Sequence, residues 1–262
     1  MKLFLVVLSI VFLAFAADTR EDVGDYAIIN SGTVGGASGW DYPQAVLFDN
    51  GPFVTGVGTG AGGADVCEMG ADETTFGNGF QVSAGNMIAD QFVVPSGETW
   101  DITKITVFGY QTGSGTTSTI TGAHLTVWDN PPDSGTLVYG DQGTSVMTTT
   151  GWTNCYRVNN GDTSNSDRPI MYAECELTDL SLGEGEYWLV VQLDGSGSSG
   201  PWANPVTITG QPDTGDSIQY TSGGWAPLAM GGTGAPIGLP FILESGTQAL
   251  EAATWAGIKT SF

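Results

Sequence analysis

Short apolar runs cut by turn residues dominate this sequence, and no long stretch repeats its apolar residues at the period of a helix. The run 88–94 ends at Pro95-Ser96-Gly97, and the run 100–111 ends at Thr112-Gly113-Ser114-Gly115. The run 123–128 stops at Asp129-Asn130-Pro131-Pro132-Asp133-Ser134-Gly135. Further strand-like runs are 136–139, 153–158, 170–177, 186–193, 206–209, 217–221 and 239–243. Gly supplies positive φ, Pro fixes φ, and Asn and Asp bond their own backbone, so each cluster reads as a turn.

Three runs alternate strictly. Ala123, Leu125 and Val127 oppose His124, Thr126 and Trp128. Met171, Ala173, Cys175 and Leu177 oppose Tyr172, Glu174 and Glu176, while Tyr187, Leu189, Val191 and Leu193 oppose Trp188, Val190 and Gln192. A one-residue slip would expose each apolar set, so these registers are firmly specified. The expectation is an all-β protein: a single jelly-roll-like antiparallel β-sandwich spanning 17–246. Residues 24–85, rich in glycine with a strand-like 45–48, read as loops and short edge strands around that sandwich.

The chain opens Met1-Lys2 and then runs apolar to Phe15, with Ala14 and Ala16 placed as in an A-x-A cleavage site. The run is shorter than the roughly 20 residues of a membrane span. Residues 1–16 therefore read as a signal peptide, and the location as secreted, extracellular or cell-surface with no transmembrane segment. The net charge is −22, from 28 acidic and 6 basic side chains. Such a surface repels phosphate backbones and excludes nucleic acid as a partner.

Export permits disulfides. Cys155 and Cys175 lie in neighbouring strand-like segments, and a bridge would close a loop of about 20 residues and add ~3 kcal/mol. Two buried free thiols are the alternative, and Cys67 is left over either way.

His124 is the single histidine, so any Ser-His-Asp or Cys-His arrangement would need it, yet it falls inside a strand and not on a loop. Calcium is the one candidate cofactor, with Asp129, Asn130 and Asp133 in one turn and Asn160, Asp162 and Asp167 in another. Neither has the twelve-residue calcium-loop pattern, and these residue types are also plain turn formers. Glu174 with Glu176, and Glu184 with Glu186, are the carboxylate pairs a glycosidase would draw on. Eight tryptophans are the most suggestive feature. Rigid rings stack on sugars, and Trp128 beside His124, with Trp152, Trp202 and Trp225 in or near loops, are candidate carbohydrate contacts. Trp is also mostly buried as packing.

The segments Val46-Leu47-Phe48-Asp49-Asn50-Gly51-Pro52 and Gly62-Gly63-Ala64-Asp65 precede Ile88-Ala89-Asp90-Gln91-Phe92-Val93-Val94-Pro95, Val127-Trp128-Asp129 and Gly185-Glu186-Tyr187-Trp188. In that order they resemble a group of uncharacterised secreted bacterial proteins with a jelly-roll-like β-sandwich. The resemblance implies the fold and carries no catalytic residues. The end, Glu251-Ala252-Ala253-Thr254-Trp255-Ala256-Gly257-Ile258-Lys259, is similar to W-G-x-I-K sorting tails, with Ala256 where Gly is usual; 247–262 is read as a tail.

The expected function is non-catalytic: structural, adhesive or assembly work outside the cell, with self-association or cell-surface glycans as partners. The alternatives are a carbohydrate-binding module using surface aromatics, with calcium as an aid, and a carboxylate-dependent polysaccharide hydrolase.

Overall fold

The structure, a computed structural model, describes residues 45–205 and 215–246. The expected signal peptide at 1–16, the expected strand 206–209 and the expected tail 247–262 lie outside the described residues. Those residues form twelve strands: β1 (Val46–Asp49), β2 (Asp65–Glu68), β3 (Asn78–Gly79), β4 (Met87–Gly109), β5 (Ile120–Trp128), β6 (Leu137–Gly140), β7 (Met147–Val158), β8 (Pro169–Gly195), β9 (Trp202–Ala203), β10 (Ile218–Thr221), β11 (Gly224–Pro227) and β12 (Phe241–Ser245). The helical content among them is two short 3-10 turns, Ala61–Gly63 and Val82–Ala84. The protein is all-β, as the alternation implies. Among the described residues no helix is long and apolar enough to cross a membrane.

Ten strands form one sheet built on a long antiparallel ribbon of β4 and β8, paired from Ile88↔Val191 to Gly109↔Met171. At one end β10 adds to β4 and β5 adds to β8, with β11 and β6 outside them. At the other end β12 adds to β4 and β7 to β8, with β1 and β2 outermost. Ile88, Phe92, Leu125 and Val191 from the first end share one apolar core with Ile105, Val107, Ala173, Phe241 and Leu243 from the second. Both ends of the ribbon thus contribute to one main apolar core, as strands that each bury one face do. The sheet is mixed and not purely antiparallel, because β2 pairs parallel to β7 from Asp65↔Cys155 to Glu68↔Val158. β3 and β9 form a separate two-stranded pair.

Phe92 shows how inward residues from different strands meet in that core. It is fully buried, with Phe48, Tyr187 and Phe241 at ring-centroid distances of 6.2, 5.7 and 6.2 Å. Burying such a ring contributes about 1.5–3 kcal/mol, and Phe92→Ala would cost roughly 3–5 kcal/mol.

Two turn expectations are corrected. Pro95-Ser96-Gly97 does not reverse the chain; it bulges out of the ribbon between the pairs Val94↔Gly185 and Thr99↔Gly183. Gly97 takes φ +81°, and the Glu184 carboxylate accepts from Gly97 N at 2.7 Å and Ser96 Oγ at 2.9 Å. Long cross-strand pairing on both sides keeps the strand running, and the turn residues are absorbed as a bulge. The break expected between 177 and 186 likewise becomes a bulge, with Asp179 at φ +61°.

The disulfide reading is also corrected: Cys67, Cys155 and Cys175 are free thiols, all buried. Register explains it. Cys175 lies opposite Met147, whereas Tyr156 lies opposite Pro169. Cys155 is therefore several residues along the ladder from Cys175, at about 3.3 Å per residue, far beyond the roughly 4.4–6.8 Å that a bridge requires between Cα atoms. Cys155 also packs with Phe53, Phe108 and Ile170 in a second core, while Cys175 belongs to the main one.

Candidate functional site

Arg157, the largest fully buried side chain, has no exposed surface. Its guanidinium donates from Nε to Phe76 O at 2.9 Å, from Nη2 to Thr75 O at 3.0 Å and from Nη1 to Cys67 O at 3.4 Å. A buried charge of this kind persists only when its donors are used. Here they fasten the segment carrying Phe76 to the end of β7.

Phe76 in turn carries Arg168, whose guanidinium carbon lies 3.7 Å from the ring centroid. Arg168 immediately precedes β8 and is half-buried. Among the described residues it has no carboxylate partner; the ion pairs there belong to Lys104, with Glu174 and Glu244, and to His124, with Asp194.

Across from this pair, Tyr110 and Trp202 exchange backbone hydrogen bonds of 2.8 and 2.9 Å. The bridge sets Trp202 beside the end of β4, and its indole Nε1 donates to Ser199 Oγ at 3.2 Å. Gly77 completes the wall: a Cβ there would lie 2.7 Å from both Ala203 O and the Tyr110 hydroxyl. The result is a cleft of about 220 Å³ lined by Phe76, Gly77, Tyr110, Thr112, Arg168, Ser199 and Trp202. Its lining combines aromatic surface, two aliphatic hydroxyls and one cation, with no carboxylate. Burial holds the Tyr110 phenol well above its usual range against the opposing pull of Arg157 and Arg168, so it stays protonated at neutral pH.

Of the tryptophans singled out in the sequence, Trp202 alone lines this cleft. Trp128 and Trp225 lie together elsewhere, against a small buried cluster of Ala89, Trp188 and Val190. There Trp128 Nε1 donates to Thr126 Oγ1 at 2.9 Å, and Trp225 meets Tyr220 edge-on at 5.5 Å. Trp152 packs on Tyr156 at 5.1 Å and donates to Cys155 O at 3.2 Å. His124 shares the Trp128 face of β5, is 7% exposed, and places Nε2 3.0 Å from Asp194 Oδ2. This face of β5 is thus largely covered.

The six metal candidates fall in two loops and bond mostly within them. Asp129 Oδ1 accepts from Thr136 N at 2.6 Å and from Asn130 Nδ2 at 3.4 Å, which holds its carboxyl below the usual range. Asp133 accepts from Ser134 Oγ at 3.2 Å. Asp162 accepts from Ser164 Oγ at 3.5 Å, Asp167 accepts from Asn165 Nδ2 at 3.4 Å, and Asn160 is exposed. Among the described residues no three His, Cys, Asp or Glu side chains gather where they could hold a metal ion.

Of the four carboxylates a glycosidase would draw on, Glu174, Glu184 and Glu186 have partners and Glu176 is exposed. Glu174 and Glu244 flank Lys104 at 3.6 and 3.0 Å. Burial works against the Lys104 ammonium, but the two carboxylates outweigh it and hold its pKa above the usual lysine range. Glu184 clamps the 95–98 bulge, and Glu186 accepts from Trp188 Nε1 at 3.3 Å.

Sequence reading missed Phe76, Tyr110 and Arg168. Only scarcity could have pointed to Arg168, as one of six basic residues among 28 acids. The chain matches no family model, no curated protein and no solved structure. Residue roles at the cleft therefore rest on its own geometry.

Proposed function

We propose that this protein is a non-catalytic, extracellular β-protein with an adhesive role, and that it acts by holding a glycan in the Trp202 cleft. The observation that carries this reading is the open cleft itself, lined by Trp202, Thr112 and Ser199 beside Arg168 on the Phe76 ring. Apolar ring faces receive the C–H face of a sugar, and polar groups at the edge fix its hydroxyls. The wall is held by backbone bonds between Tyr110 and Trp202, so little ordering is left for binding to overcome.

The same lining supports binding without turnover. Glycoside hydrolysis needs an acid beside the scissile bond, and no Asp or Glu lines the cleft. Recognition there is proposed to run through the cleft's own side chains, without calcium. Export is proposed from residues 1–16.

A glycan array read with wild type and Trp202→Ala, each with and without EDTA, tests the proposal. The expected result is a discrete set of glycans bound by wild type, unaffected by EDTA and weakened at least tenfold in the variant. Failure to bind any glycan, or binding that Trp202→Ala leaves unchanged, contradicts it.

An assembly role is favoured by one separate observation. β6 ends its side of the sheet, and its Leu137 and Val138 are 46% and 44% exposed. Apolar edge strands pair with further copies. Sedimentation velocity would show oligomers that Val138→Lys disperses; a monomer at all concentrations would remove this reading.

A further inference from the structure

We infer that the ligand of the cleft carries a single carboxylate, as a glycan ending in one uronic acid does, and that the guanidinium of Arg168, stacked on Phe76, receives it. The inference rests on the glycan reading above and names the class of sugar.

Arg168 stands in a chain with 28 acidic residues, yet among the described residues none of their carboxylates pairs with it. Its chain neighbour Asp167 takes the Asn165 amide instead. A guanidinium lying over a ring keeps its N–H edges directed away from that ring. Those edges form the planar fork that matches a carboxylate through two parallel hydrogen bonds. A neutral sugar would not use the charge; a carboxylate would.

Tyr110, Thr112, Ser199 and Trp202 carry no negative charge, and the Tyr110 phenol keeps its proton at neutral pH. No anion of the cleft lining opposes an incoming carboxylate. The buried Arg157, bonded to the Phe76 carbonyl, fixes the platform on which Arg168 lies.

Charge and size then set the number of acidic groups. The protein carries −22 overall, and this field repels a dense polyanion. Screening shortens that repulsion to about 8 Å at physiological ionic strength, so one carboxylate seated against Arg168 is favoured while a run of them extending across the surface is not. The cleft of about 220 Å³ is also below the roughly 300–1,000 Å³ of drug-sized sites, which suits one ring and not a chain.

The test is isothermal titration of the full protein with three probes: an oligosaccharide ending in one glucuronate, its methyl ester, and polygalacturonate. Wild type should bind the acid at least tenfold more tightly than the ester, and polygalacturonate more weakly per site than the acid. Arg168→Gln should bind acid and ester equally, and Arg168→Lys should recover part of the difference. Equal binding of acid and ester by wild type, or a preference that survives in Arg168→Gln, overturns the inference. If ester and acid bind equally and Trp202→Ala abolishes both, the glycan reading stands without it. If neither these probes nor any neutral glycan binds, both fall. Should Arg168→Gln not fold, the acid-to-ester ratio of wild type decides alone.

Discussion

The buried Arg157 donates from Nε to the carbonyl oxygen of Phe76 at 2.9 Å, and the other face of this relationship is the cleft: the Phe76 ring supports Arg168. One fully buried cation thus positions the half-buried one. Arg157→Met keeps most of the volume but leaves the carbonyls of Thr75, Phe76 and Cys67 without their donor. An unsatisfied buried polar group costs about 1–3 kcal/mol, so the variant should lose at least about 3 kcal/mol in urea unfolding. A loss below about 1 kcal/mol would show that the segment is held by other contacts.

Gly77→Ala probes the opposite wall. The new methyl would meet Ala203 O and the Tyr110 hydroxyl at 2.7 Å and Trp202 Cβ at 3.1 Å. Overpacking of this kind costs roughly 1–3 kcal/mol. The variant should show a lower thermal midpoint and weaker glycan binding together. Unchanged binding would mean that the wall near Gly77 is not part of the ligand's contact surface.

The cysteines predict a negative result with a reducing agent. All three are free and buried, burial raises the thiol pKa of each, and Cys175 is pushed up to about 12. Buried protonated thiols react slowly. Dithiothreitol should leave the thermal midpoint unchanged, and a thiol reagent should label the protein only after denaturation. A midpoint that falls on reduction would restore the Cys155–Cys175 bridge.

Asp90 predicts a pH dependence of defined sign. It is fully buried; Oδ2 accepts from Asn50 Nδ2 at 2.8 Å and from Leu239 N, and Oδ1 accepts from Gln91 N at 2.8 Å. Burial, and then its carboxyl partner Asp216, raise its pKa well above the ordinary value of 3.8. The folded state therefore binds a proton that the unfolded state has released. This contribution is fully present below the unfolded pKa and is lost as pH rises from about 3.8 toward the raised folded value. Unfolding free energy measured against pH should fall less steeply above that point for Asp90→Asn than for wild type. Parallel curves would show that the pair does not hold the proton.

Much of the fold could be read from period-two alternation. Ala123, Leu125, Val127 and Leu189, Val191, Leu193 point into the core as expected, because each strand has one face that must be buried. The bulge at 95–97 could not be read, since Pro-Ser-Gly signals a turn locally and only the β4–β8 pairing overrides it. The absent disulfide follows from cross-strand register, which the spacing of two cysteines does not carry. Trp202 was visible as a loop tryptophan. Phe76, Tyr110 and Arg168 meet only through tertiary contacts between the segment before β3, the end of β4 and the entry to β8, so no local pattern marks them.

An amide chemical-shift map recorded as the glucuronate-ended oligosaccharide is added locates the binding site directly. Perturbed amides should gather at Gly77, Thr112, Arg168, Ser199 and Trp202, with the Trp128, Trp188 and Trp225 face unmoved. Perturbations centred on that second tryptophan face, or none anywhere, would contradict binding in the Trp202 cleft.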